Sequence, residues 1–68
     1  MSVNVKINGR VESITPQKTL LDLLNDKSLC AERVVVEVNN SIIKREQFKE
    51  YILQEGDSVE ILRFVGGG

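Results

Sequence analysis

Three stretches of this chain alternate apolar and polar residues with a period of two, and a fourth does not. Val3, Val5 and Ile7 alternate with Asn4 and Lys6. Val34, Val36 and Val38 repeat the pattern, and Val59 and Ile61 repeat it again near the end. An extended backbone turns successive side chains to opposite faces, so each stretch predicts a half-buried β-strand. Leu20, Leu23 and Leu24 instead recur at helical spacing, with Leu21 beside them to widen the stripe. Thr19 is suited to cap that helix, with Asp22 three residues later as a shortened capping-box acid, and the helix is expected to end around Asn25-Asp26-Lys27. A helix this short is marginal alone in water, so its leucines must gain their stability by packing across the sheet.

The turn residues order these pieces. Asn8-Gly9 is a strong hairpin signal, because both residues tolerate positive φ. A strict two-residue loop would put Val11 opposite Lys6 on the polar face. The expectation is therefore a three-residue loop with a glycine bulge, or a nearby slip, that sets Val11 opposite Ile7 and keeps the apolar face continuous. The second strand should fade near Thr15, since the residue before Pro16 is pushed toward extended geometry. The run Val34 to Val36 suggests a central strand, with Val35 facing the other way and Asn39-Asn40 turning into Ser41-Ile42-Ile43. Lys44 to Phe48 begins a short helical turn, after which Tyr51, Ile52 and Leu53 are expected to plug the open end of the core. Glu55-Gly56-Asp57 is the tight turn that launches the last strand. The order is strand, strand, helix, strand, short strand, helical turn, strand. No repeat or linker interrupts it, so residues 1–68 are expected to form one α+β domain.

Composition removes several function classes. Sixty-eight residues make one small domain, unlikely to house a deep enzymatic cleft of its own. Nine basic and ten acidic residues leave a net charge of -1, which is no electrostatic footprint for DNA or RNA. One cysteine and no histidine exclude an internal disulfide and the usual zinc ligand sets, so no metal site is expected. The lone Cys30 fits a reducing, cytoplasmic setting. The apolar runs fall far short of the ~20 residues of a membrane span, and no leader pattern opens the sequence.

The end of the chain points to chemistry. Leu62, Phe64 and Val65 lead into Gly66-Gly67-Gly68. Glycine is about 7% of an average protein, so two terminal glycines arise by chance in roughly 0.5% of chains. A glycine end is also what a frayed terminus or flexible linker looks like. The preceding strand bears on that choice: Leu62 and Phe64 share the parity of Glu60 and should point away from the helix. Ordering three glycines in a partner costs about 1–2 kcal/mol each. Burying Leu62 and Phe64 contributes about 1.5–3 kcal/mol each, which is comparable. A tail at residues 65–68 beside a docking patch of Leu62, Phe64 and Val65 is thus physically coherent. A terminal carboxylate at Gly68 has a pKa near 3.3–3.7 and is a poor electrophile until an acyl phosphate is made of it. ATP would therefore have to act on a second protein. Residues 65–68, fully extended, reach roughly 14 Å, enough to thread a narrow slot toward a nucleotide, and Gly66 and Gly67 keep the threaded segment slim.

Order and spacing together resemble the β-grasp, ubiquitin-like sulfur carriers, most closely the ThiS-type carriers of thiamine biosynthesis. The resemblance rests on Val36-Glu37-Val38-Asn39, on Ile43-Lys44-Arg45-Glu46-Gln47-Phe48, on Leu53 through Ile61, and on Arg63-Phe64-Val65-Gly66-Gly67-Gly68. It spans essentially the whole chain and is specific in the second half. One departure is Lys44, where many relatives carry proline. The resemblance implies a mixed sheet of four to five strands on one main helix with a short extra helical turn. It also implies a carrier without catalysis of its own and without a stably bound cofactor. A ThiF-like adenylating enzyme would activate Gly68 with ATP, a persulfide donor would supply sulfur, and a ThiG-like thiazole synthase would receive it from the thiocarboxylate. Two other readings share the fold: a molybdopterin synthase small subunit, and a ubiquitin-like modifier or interaction module.

Other chemistry in the chain is weakly supported. Cys30 has no histidine or basic cluster near it in sequence, though Arg33 is close, and reads as a buried or inert thiol. Asp22, Asp26 and Asp57 carry no sign of burial or pairing that would suit acid-base work, and no glycine-rich phosphate loop is present. Lys44, Arg45 and Glu46 read as a solvated surface.

Overall fold

The computed structural model describes residues 1–64. Strands β1 (Val3–Ile7) and β2 (Arg10–Ile14) form a hairpin, followed by helix α1 (Leu20–Asp26) and a 3₁₀ turn at Ala31–Arg33. Strands β3 (Val34–Val38) and β4 (Ser41–Ile43), a second 3₁₀ turn at Arg45–Gln47, and β5 (Ser58–Arg63) complete the chain. The five strands make one sheet in the order β2-β1-β5-β3-β4. β1 and β5 run parallel and every other pair is antiparallel, so the sheet is mixed and the architecture is the expected α+β one. β3 is flanked on both sides, as its valine run suggested, but the middle position belongs to β5.

The core forms where the inner parity of each strand meets the helix. Val5, Ile7, Val34, Val36, Val38, Val59 and Ile61 are buried on one face of the sheet, and Leu20, Leu23 and Leu24 are buried opposite them. At about 1.5–3 kcal/mol for each fully buried side chain, these leucines offset the cost of a seven-residue helix that would not persist alone. Thr19 Oγ1 accepts from the Asp22 N–H at 3.1 Å while Asp22 Oδ2 accepts from the Thr19 N–H at 3.1 Å, the expected reciprocal cap. Phe48 and Leu53 close the open end of the core, with Tyr51 half-buried against it. Ile52, expected to join them, is exposed instead. It sits in an isolated bridge with Thr19, and extended geometry there turns alternate side chains to opposite sides.

The first hairpin also departs from expectation. The loop is a strict two-residue turn with Asn8 at φ 50 and Gly9 at φ 85, pairing Ile7 with Arg10 and Lys6 with Val11. Val11 therefore lies on the outer face, 70% exposed. Backbone twist at the Asn-Gly turn outweighed the gain from burying one valine, and Glu12 takes the inward position opposite Val5.

Asp57 is a further correction, because it is buried and paired. Its carboxylate accepts from the Gln54 N–H at 2.8 Å and from Asn39 Nδ2 at 3.1 Å, while Asn39 Oδ1 accepts from the Ser58 N–H at 3.0 Å. The network joins the β3–β4 turn to the start of β5, a structural use of the carboxylate. The other two acids are also engaged, Asp22 in the helix cap and Asp26 in an ion pair with Lys18.

Candidate functional site

β5 positions everything next to the tail. It is paired with β3 from Val59 to Arg63, Val38 against Val59 through Val34 against Arg63. On its other side β1 accompanies it only at Ser58 and Val59, because β1 ends at Ile7. The Asn8 side chain then substitutes for a strand. Its Oδ1 accepts from the Ile61 N–H at 2.7 Å and its Nδ2 donates to the Ile61 carbonyl at 3.3 Å. Past that clamp β5 overshoots the hairpin, and the Phe64 N–H donates to the Arg33 carbonyl at 2.9 Å. Phe64 is thus anchored to the sheet at the point where the glycine segment begins.

The sequence singled out Asn8 as a turn residue only. Its second task was not readable locally, since Ile61 is 53 positions away.

Two unlike faces meet at this root. Leu62 and Phe64 point outward, 63% and 55% exposed, as their parity required. Leu62 lies opposite half-buried Val35, and on β4 Ile42, 66% exposed, is a separate outward apolar residue paired with Glu37. Between them Glu37 and Glu60 are directly paired across β3 and β5. The inner parity of the overshoot is different: Arg63 follows Val59 and Ile61 on the helix side, beyond the helix end. There an open groove of about 450 Å³ has Ile7, Leu29 and Ile61 among its lining residues, with Arg10 and Arg63 beside them. Val65, Gly66, Gly67 and Gly68, the remaining predicted site residues, lie outside the described residues.

The other candidates are accounted for by their surroundings. Cys30 is exposed rather than buried, and its thiol donates to Glu32 Oε1 at 2.9 Å. That bond, with the Glu32 backbone N–H and the Arg45 charge, holds the Glu32 carboxyl below its usual range. Arg45 Nε donates to the Ala31 carbonyl at 3.1 Å, so this charge fastens one loop to another while its neighbours Lys44 and Glu46 are solvated. Burial, and secondarily the charge of Asp57, raises the Tyr51 phenol above its ordinary value. Among the described residues no cluster of metal-binding side chains occurs, and no helix is long and apolar enough to cross a membrane.

The sequence profile described as the ThiS family matches residues 5–68. The chain belongs to the ThiS family. Among its relatives, this ThiS-family chain is 44% identical over 65 residues to the sulfur carrier protein ThiS of Bacillus subtilis, covering 94% of this chain and 98% of that one. It is 32% identical to a thiazole synthase of Magnetococcus marinus, covering 97% of this chain but only 20% of that protein. A similar match to the thiazole synthase of Paramagnetospirillum magneticum covers 19% of its length, so the chain spans about a fifth of these two relatives. The crystal structure of the thiamine biosynthesis protein ThiS from Geobacter metallireducens superposes with a TM-score of 0.78 at 33% identity, covering 97% of this chain and all of that one. The β-grasp fold expected of a ThiS-family member is the one observed.

Proposed function

We propose that this protein is the sulfur carrier of thiazole formation in thiamine biosynthesis, acting as a co-substrate of partner enzymes rather than as a catalyst. The observation that carries the reading is the family match running through Gly68, on a chain whose last strand ends in an outward apolar pair at the root of the glycine segment. The match to a Bacillus carrier over nearly its full length supports the carrier role, and carrier-sized similarity to part of two thiazole synthases supports that enzyme as recipient.

The Gly68 carboxylate, an anion at neutral pH, attacks the α-phosphate of ATP in the site of a ThiF-like adenylating enzyme and pyrophosphate leaves. The terminal sulfur of a persulfide donor then attacks the acyl carbon and AMP departs. A thiol cleaves the resulting acyl persulfide, leaving a disulfide on the donor side and a thiocarboxylate on Gly68. A ThiG-like thiazole synthase takes the sulfur from there. Within this scheme the described residues hold and present the tail. The β3 pairing and the Asn8 clamp fix its root, Leu62 and Phe64 dock, and Gly66 and Gly67 thread a slot too narrow for side chains.

Intact-mass measurement after reaction with the adenylating enzyme, ATP and a persulfide donor tests this. Replacement of one oxygen by sulfur is expected, and it should vanish when Gly68 is deleted or one residue is added after it, with the melting temperature unchanged. A lysine adduct would instead support a modifier, and unaltered protein an inert interaction module. Loss of the gene should create a thiamine requirement reversed by supplied thiazole, which separates this role from a molybdopterin pathway.

A further inference from the structure

We infer that the groove on the helix side of the tail root receives an acidic segment of the adenylating partner, so that the partner clasps the root of the tail from both faces. The inference rests on the carrier reading and adds to it a second contact of opposite chemistry. Its basis is the overshoot of β5 beyond β1, which leaves the inner face of the sheet uncovered past Ile7 and Ile61. The groove has an apolar floor and a cationic rim.

Charge decides what fits there. The groove gathers three cations, Arg10, Lys27 and Arg63, against one carboxylate, Glu12, on a protein whose net charge is -1. Lys27 is already committed, its Nζ donating to both Glu12 oxygens at 2.8 and 3.0 Å. Among the described residues neither Arg10 nor Arg63 meets a carboxylate. Guanidinium forks match carboxylates with paired hydrogen bonds, and two such forks beside an apolar floor suit an Asp- or Glu-bearing peptide segment with an aliphatic neighbour. Ile7 and Ile61 are already buried in the core, so the apolar surface left to cover is that of half-buried Leu29, which a small free anion would leave exposed. Position decides which protein supplies the segment. Arg63 immediately precedes Phe64, so a partner that takes up Gly68 and covers Leu62 and Phe64 also comes beside this groove.

Binding of the full-length protein to the ThiF-like adenylating enzyme of the same organism, measured across a range of salt concentrations, tests the inference. The double charge reversal Arg10→Glu with Arg63→Glu should weaken binding about tenfold or more and flatten its salt dependence. Arg10→Gln with Arg63→Gln should weaken it less, and retains the test if the reversal disturbs folding. Lys49→Glu, an exposed charge outside the groove lining, should change binding less than about twofold. If the groove variants bind like Lys49→Glu while the wild type forms thiocarboxylate normally, the acidic contact is wrong and the carrier role stands. If the wild type forms no thiocarboxylate at all, the carrier reading itself falls. Saturable displacement of the enzyme by inorganic phosphate at constant ionic strength would mark a small-anion site and overturn the inference.

Discussion

Both faces of the sheet carry large apolar side chains and put them to opposite uses. On the helix side, Val36 and Val59 are fully buried and make the core. On the solvent side, Val11, Ile42, Leu62 and Phe64 are at least half exposed, although each is a large apolar side chain. A single step in register separates Ile61 from Leu62. Burial in this protein therefore depends on parity against the helix rather than on hydrophobicity. The helix is only seven residues long and can cover only one face. Two of the four residues it leaves uncovered, Leu62 and Phe64, lie at the end of β5, where the proposed docking would use them.

Placing a charge on each face is the sharpest way to break that contrast. Val36→Asp should abolish folding, because an unpaired carboxylate would replace a fully buried side chain at the centre of β3, and circular dichroism would show the loss. Leu24→Ala should cost about 2–5 kcal/mol in urea unfolding, since the helix packs against a sheet that cannot collapse into the cavity. Phe64→Asp should leave stability within about 0.5 kcal/mol, yet weaken docking to the proposed adenylating partner by about 1.5–3 kcal/mol. If that variant unfolds, the outer apolar residues are core after all and the contrast fails.

Tyr51 sits between the two environments and sharpens the comparison. Its folded-state phenol is raised above the ordinary value, so its contribution is fully present below the unfolded pKa of about 10. It is lost as pH rises through that value toward the folded one. Alkaline unfolding should accordingly be less steep in Tyr51→Phe than in the wild type across that window. The smallest effect expected is for Val11→Thr. The site is solvent-facing, so stability should stay within about 0.5 kcal/mol, whereas a large loss would mean that the hairpin register in solution brings Val11 inward.

Much of the candidate site was legible in advance because it depends on short-range rules. The outward direction of Leu62 and Phe64 follows from parity alone, and the Thr19–Asp22 cap follows from a three-residue spacing. Val11 was misplaced because two local rules conflicted. The hydrophobic pattern called for a bulge, the Asn-Gly turn called for strict pairing, and the turn prevailed. Asp57 and the second task of Asn8 were not legible, since both depend on partners brought together by the sheet.

The amino-acid order by itself determined which residues extend, which helix is capped, which side chains share a face, and that the last strand runs into three glycines. These follow from backbone sterics and side-chain periodicity, which act over a few residues. Only the tertiary structure decided that β5 lies in the middle of the sheet and parallel to β1, that Asn8 clamps Ile61, and that Arg10 and Arg63 border one groove. Those pairings join residues about fifty positions apart. No local preference selects among the alternative strand orders, and the choice is made when the whole apolar face is buried at once against a single short helix.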